Sequence, residues 1–189
     1  MIDAAHQVFT DGGVTVPMDE IAAAADVGVG VATLYRRFPH RQDLMRAVLE
    51  ARFEEVITPV LARVAAVDDP REAVYLALES VVSLASSERP TLAAANNVGA
   101  LTMDLAWRYF SPVATLVSRG QSTGAFRPDL VPDDVPRLVL MLLGTLPSFP
   151  TSAPQGWRRY LDLLMDALSP EGASPLAPVS PVAEHTPRR

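Results

Sequence analysis

Apolar residues recur along the chain at helical spacing, and no run sustains the strict alternation of a half-buried strand. Ile2, Ala5 and Phe9 fall at i, i+3 and i+7, and Asp11-Gly12-Gly13 closes this first helix, since glycine accepts the left-handed conformation that follows one. Thr15 to Pro17 supplies a cap and first turn for a second helix. Asp19 and Glu20 there suit the helix dipole, and Met18, Ile21, Ala22 and Ala25 make its buried stripe. A glycine-rich turn from Asp26 to Gly30 leads to a third helix of about two turns. On it Val31, Leu34, Tyr35 and Phe38 share one face and Ala32, Thr33, Arg36 and Arg37 the other.

Pro39 stops the third helix, and a longer fourth one opens at His40-Arg41-Gln42-Asp43 with Leu44, Ala47, Val48 and Ala51 inward. It is predicted to continue through Val56, with Pro59 marking a kink or restart and Asp68-Asp69-Pro70 a clear break. Further helices are predicted from Arg71 to Ser87, Thr91 to Asn97, Leu101 to Gln121, Asp133 to Leu146 and Gln155 to Leu168. The final 21 residues hold five prolines and little to bury, the composition of a disordered tail. The expected class is therefore all-α. Residues 1–45 form a small three-helix domain, 46–168 a larger helical domain, and 169–189 the tail.

Composition narrows the chemistry. With no cysteine, and with His6, His40 and His185 far apart, neither a disulfide framework nor a metal site is expected, and no cofactor is implied. The start MIDAAHQVF lacks the basic and apolar regions of a secretory signal. The strongest apolar stretch, Leu138 to Leu143, is far short of the ~20 residues that span a bilayer. A cytoplasmic protein with no membrane partner is expected. The net charge of −6 argues against a nucleic-acid partner, but its distribution reverses that. All 16 basic residues are arginine, and Arg36, Arg37, Arg41, Arg46 and Arg52 share 17 positions with only two acids, Asp43 and Glu50. This cluster is either a solvated helix face or a phosphate-binding one.

Three short helices, the last two joined by a turn, follow the helix-turn-helix plan, in which the second helix of the pair enters the major groove. Val31, Leu34 and Phe38 would anchor that helix. Thr33 can meet a phosphate, a base edge or a thymine methyl, and Arg36 or Arg37 a phosphate or guanine. Tyr35 either buries its ring with the stripe or extends its hydroxyl to a phosphate. The free amides that begin the next helix, with Arg41, make a natural phosphate clamp.

The phrases IDAAHQVF, DGG, MDEIAAAADV and ATLYRRFP, in this order and followed by Arg41 and Leu44, resemble the TetR (tetracycline-repressor-like) family of bacterial regulators. The resemblance is strong over residues 1–52. It implies an N-terminal DNA-binding domain, a larger helical domain with a pocket for a small-molecule effector, and a homodimer joined by the last two helices. It implies DNA contacts at Thr33, Tyr35, Arg36, Arg37 and Arg41, with operator DNA as partner.

The sequence departs from the family pattern in three places. The basic residues that usually precede the first helix are absent. Val16-Pro17 stands where a hydroxyl residue often caps the second helix and touches phosphate, which leaves Thr15 as its substitute. The interval from Ile21 to Tyr35 is two residues longer than usual, as if Val-Gly were doubled. Two residues added inside a continuous helix would turn the following face by about 200° and expose Leu34 and Phe38. In a glycine-rich loop they bulge outward instead, so both flanking helices are expected to keep their core contacts.

In the larger domain Asn97, Trp107, Tyr109 and Phe110 are the candidates for the effector pocket, with Asn96 beside them, although an aromatic at helical spacing is more often core. Leu138, Val139, Met141, Leu142 and Leu143, and the stripe Trp157, Leu161, Leu164, Met165 and Leu168, are the candidates for a two-fold interface. The expected function is a ligand-released transcriptional repressor. The alternative is a ligand-sensing or dimeric interaction protein of the same fold with weakened DNA binding. No nucleophile, base and orienting group stand at a recognisable spacing, so an enzyme is not expected.

Overall fold

Ala5 and Phe9 on α1 (Ile2–Gly12) are fully buried against α2 (Met18–Ala24) and α4 (Arg41–Arg52) in the computed structural model, which describes residues 1–12, 16–24, 31–150 and 152–178. Met18, Ile21 and Ala22 of α2 close over them. Thr15 and the doubled Val-Gly of the turn lie outside the described residues. On α3 (Val31–Arg37) Leu34 is fully buried, and Phe38 just beyond is only 8% exposed, so the helices on either side of the turn do keep their core contacts. Val31 corrects the expected stripe, being 42% exposed. On a helix of under two turns only the pair at i and i+4, Leu34 and Phe38, reaches the core from α3, and Val31 is left at the open first turn.

α4 does not run straight into α5 (Thr58–Val64), because Phe53–Ile57 forms a π-helical turn between them. Pro59 explains the widening. It has no N–H, and its ring would crowd the carbonyl of Glu55 in a regular helix. The amide of Thr58 instead reaches back five residues to the carbonyl of Phe53, carrying the chain past the proline.

α6 (Pro70–Ser87) starts where Pro70 takes the first helical position and the Asp69 carboxylate accepts the Arg71 amide at 2.8 Å. It is the central helix of the larger domain and packs against α5, α8 (Met103–Thr123), α9 (Asp134–Thr145) and α10 (Trp157–Ala167). Its Val74, Ala77, Leu78, Val81 and Val82 are buried, and full burial of one such aliphatic side chain contributes about 1.5–3 kcal/mol. α8 ends at Gly124, whose φ of 77° is the left-handed cap that glycine accepts. A 3₁₀ turn, Leu146–Ser148, follows α9. Among the described residues there are ten α-helices and no strand, and no helix is long and apolar enough to cross a membrane.

Two cores result. The N-terminal one extends past residue 45, because Val48 and Leu49 of α4, Ala94 and Ala95 of α7 (Arg89–Asn97), Ala100 and Leu105 all belong to it. Phe53 packs at the edge of both cores and meets Phe110 edge-to-face at 6.1 Å. The α10 stripe expected at a two-fold interface lies instead in the chain's own core. Trp157, Leu161, Met165 and Leu168 are buried there with Val139, Leu142 and Leu143 of α9, and Leu164 and Leu138 pack against them. The central helix α6 needs an apolar lid, and this face of α10 supplies it. The large exposed apolar residues described on these two helices are Met141, Tyr160 and Leu163.

Beyond Leu168 the chain is bonded to the α8–α9 loop as far as Leu176. Arg127, almost fully buried, grips Asp129 at 2.6 and 2.9 Å and also donates to the Ser174 carbonyl, while the Leu176 amide donates to Asp129 at 2.9 Å. These bonds hold the Asp129 carboxyl well below the ordinary range, with Arg127 as the main cause and the Leu176 amide next.

Candidate nucleic-acid interface and effector cavity

Burial of Leu34 fixes the rotation of α3, so that Ala32, Tyr35, Arg36 and Arg37 are exposed together and Thr33 is half-buried at the edge of this face. Tyr35, whose role the sequence left open, is 44% exposed and is not a core residue. Its hydroxyl faces Asp19 of α2, and its pKa is raised by desolvation and then by that carboxylate. Arg37 lies over the Phe38 ring at 5.6 Å, which stiffens the end of the helix.

Arg41 is placed differently. Its guanidinium turns inward, donates through Nη1 to the Val16 carbonyl and stacks over the Phe9 ring at 5.1 Å, and desolvation lowers its pKa. Its Nε and Nη2 are buried without a hydrogen-bond partner. Arg41 thus clamps the start of α4 onto α1 and onto the segment before α2. At the same N-terminus the His40 amide donates to the Asp43 carboxylate at 3.1 Å, a reciprocal capping contact. Arg52, the last cation of the cluster, is held by Glu88 and Glu55. Of the sequence candidates, Thr33, Tyr35, Arg36 and Arg37 share one surface, and Arg41 lies beneath it.

A cavity of about 520 Å³ opens between α7 and α9. Arg89, Leu92, Ala93, Asn96 and Asn97 line it from α7, at i, i+3, i+4, i+7 and i+8, so a single helix face forms one wall. Leu140, Leu143 and Gly144 of α9 face them, with Leu101, Leu146 and Pro147 completing the lining. The opposite face of α7 (Thr91, Ala94 and Ala95) is buried against α1 and α4. Thr10 of α1 meets Thr91 at 3.2 Å, and Gln42 of α4 donates to the Gly99 carbonyl at 2.8 Å. One helix therefore has the cavity on one side and the N-terminal core on the other.

Of the sequence candidates for the pocket, Asn97 lines this cavity. Phe110 does not: it is core, packed on Phe53, because its position on α8 faces the inward side of the bundle. Trp107, half-buried on α8, is not among the lining residues, and the Tyr109 side chain lies outside the described residues. Arg89 is the residue that sequence reading missed. The periodicity of 89, 92, 93, 96 and 97 was visible, but only if the helix is begun at Arg89 rather than Thr91.

Residues 1–48 match the family model of bacterial regulatory proteins, tetR family. No curated protein matches the chain by sequence. Among solved structures, a TetR transcriptional regulator from Streptomyces coelicolor, SCO0520, is 25% identical, with 90% of this chain and 97% of that one covered at a TM-score of 0.56. RolR in complex with resorcinol is 22% identical, covering 91% and 85% at a TM-score of 0.64. AibR in complex with isovaleryl coenzyme A and operator DNA is 18% identical, covering 89% and 96% at a TM-score of 0.56, and shares the fold.

Proposed function

We propose, from the match of residues 1–48 to the tetR family of bacterial regulatory proteins, that the chain is a DNA-binding transcriptional regulator, a cytoplasmic homodimeric repressor released by a small molecule. The carrying observation is α3, anchored by Leu34 and Phe38 with Tyr35, Arg36 and Arg37 outward, in the register a groove-reading helix requires. Thr33, Tyr35, Arg36 and Arg37 contact operator DNA, and Thr15 serves as a phosphate contact ahead of α2. Arg41 acts mainly by fixing α4, whose first amides face the backbone of the duplex.

The effector occupies the cavity between α7 and α9, with Asn97 at its mouth. Because α7 is shared by the cavity and the N-terminal core, an effector that favours one placement of α7 favours one placement of α1 and α4. A ligand shifts an equilibrium only by such a difference in affinity between states. RolR and AibR, which share the fold, are seen with resorcinol and with isovaleryl coenzyme A, and this supports a small-molecule effector here. Dimerisation uses the exposed apolar residues Met141, Tyr160 and Leu163 of the last two helices.

The experiment is fluorescence anisotropy with a labelled fragment of the chain's own promoter region, over a range of salt concentrations. Tight, salt-dependent binding that Arg36→Ala weakens is expected. The rival reading, a sensor or interaction protein with weakened DNA binding, draws on the engagement of Arg41 and Arg52 within the protein. Undetectable or salt-insensitive binding would decide for the rival.

A further inference from the structure

Resting on the reading of the chain as a ligand-controlled regulator, we infer that its effector is an amphiphilic monocarboxylate, bound with the carboxylate on Arg89 and a distal hydrogen-bonding group at Asn96 and Asn97. The lining of the α7–α9 cavity is apolar apart from three side chains, and these sit at its two ends. Arg89 opens α7 and the two asparagines close it, seven and eight residues later, which is about 10–12 Å along a helix. Between them the walls are Leu92 and Ala93 on one side and Leu140 and Leu143 on the other. A ligand that fits therefore has an apolar body with a polar group at each end.

The sign of the charge follows from Arg89. No acid lines the cavity among the described residues, and Glu88, its neighbour in sequence, is engaged by Arg52 and His6. Nη1 of Arg89 donates to the Phe149 carbonyl at 2.8 Å, which fixes the guanidinium at its end of the cavity. A carboxylate is the acceptor that pairs best with a guanidinium set at the end of an apolar cavity. The amides of Asn96 and Asn97 are exposed, so they mark the entrance. The ligand enters carboxylate first, and its outer end is met by neutral donors and acceptors rather than by a second cation. A hydroxyl or carbonyl suits that end.

The test is calorimetric titration of the full chain with octanoate, 8-hydroxyoctanoate and octanamide. Both carboxylates are expected to bind at least about tenfold more tightly than the amide, with the hydroxylated one the tighter of the two. Arg89→Gln is expected to bring the carboxylates down to the amide's level and leave the amide unchanged. Because that variant also gives up the bond to Phe149, Gly144→Leu provides a second check. A Cβ at Gly144 meets nothing within 4 Å and Gly144 lines the cavity, so a larger side chain there is expected to take up cavity space, and all three probes should bind more weakly. Octanamide binding as tightly as octanoate, no binding by either carboxylate, or carboxylate binding undiminished in both variants would overturn the assignment. Carboxylates that bind through Arg89 yet leave the anisotropy of the promoter fragment unchanged would support the assignment and sink the ligand-released reading.

Discussion

Glu88, at the break between α6 and α7, accepts two N–H groups from Arg52 of α4, at 2.8 and 2.5 Å through the same carboxylate oxygen. Its other oxygen lies 2.9 Å from Nε2 of His6 on α1. The pair is mostly shielded from solvent, and hydrogen bonding to Glu88 raises the pKa of Arg52. Two helices, α1 and α4, thus converge on one carboxylate at the start of α7, next to the cavity wall. Glu88→Ala is expected to lower unfolding free energy by about 1–3 kcal/mol, as charged hydrogen bonds of this kind do. In the same variant the effect of ligand on DNA affinity should shrink while ligand affinity is retained. Denaturant melts and anisotropy titrations with and without ligand check both.

Arg36 and Arg41 are both cations of the proposed DNA-binding end, yet their surroundings separate them. Arg36→Ala is expected to weaken DNA binding and to flatten the logarithmic salt slope by about 0.9 for each phosphate that the arginine neutralises, with stability unchanged to within about 0.5 kcal/mol. Arg41→Ala removes the bond to Val16 and the stacking on Phe9, so it should cost about 1–2 kcal/mol of stability as well as DNA affinity. Equal stabilities for the two variants would contradict the inward placement of Arg41.

Met141 is 68% and Leu163 52% exposed, so a charge at either position disturbs no core contact. Met141→Glu and Leu163→Glu should shift sedimentation from dimer to monomer with the helical signal intact. A dimer that survives the double variant would place the interface elsewhere.

Gly120 in α8 lies under the Phe126 ring. A Cβ there would come within 2.2 Å of that ring, which is only 1% exposed and has no room to withdraw. Gly120→Ala gains about 1 kcal/mol of helix propensity, but overpacking outweighs it. A net loss of about 1–3 kcal/mol in denaturant unfolding is expected.

Asp129 predicts how the tail responds to pH. Its folded pKa is depressed, so the attachment it supports is complete above the ordinary carboxylate range, near 4, and fades as pH falls below that towards the folded value. Protease cleavage after Leu168 should therefore be slow at neutral pH and accelerate in acid. Asp129→Asn should make it fast at both.

The order of the helices was legible because its signals are local: glycine after α1, Pro39 after α3, Asp69-Pro70 before α6. The outward face of α3 was legible too, since Leu34 and Phe38 are its only adequate anchors. What periodicity cannot give is the partner of an apolar stripe. The Trp157 to Leu168 stripe was correct as a stripe, yet it covers α6 rather than a second subunit. The cavity was hidden for the same reason. Its walls come from helices more than forty residues apart, and Arg89 shows its role only once Leu143 and Gly144 stand opposite.

The π-helical turn at Phe53–Ile57 has a consequence for geometry on DNA. Each residue of an α-helix advances the azimuth by about 100°, so a surplus residue resets which way everything beyond it faces. Leu44, Val48 and Leu49 point into one core, and Ile57, Leu61 and Val64 into the other, with that offset between them. The turn is thus a phase setting between the reading head and the body that carries it. In the proposed dimer, removing one residue there would be expected to swing the two recognition helices to a different spacing, changing which half-site separation the pair can span, and to break the packing of α1 and α4 on α7.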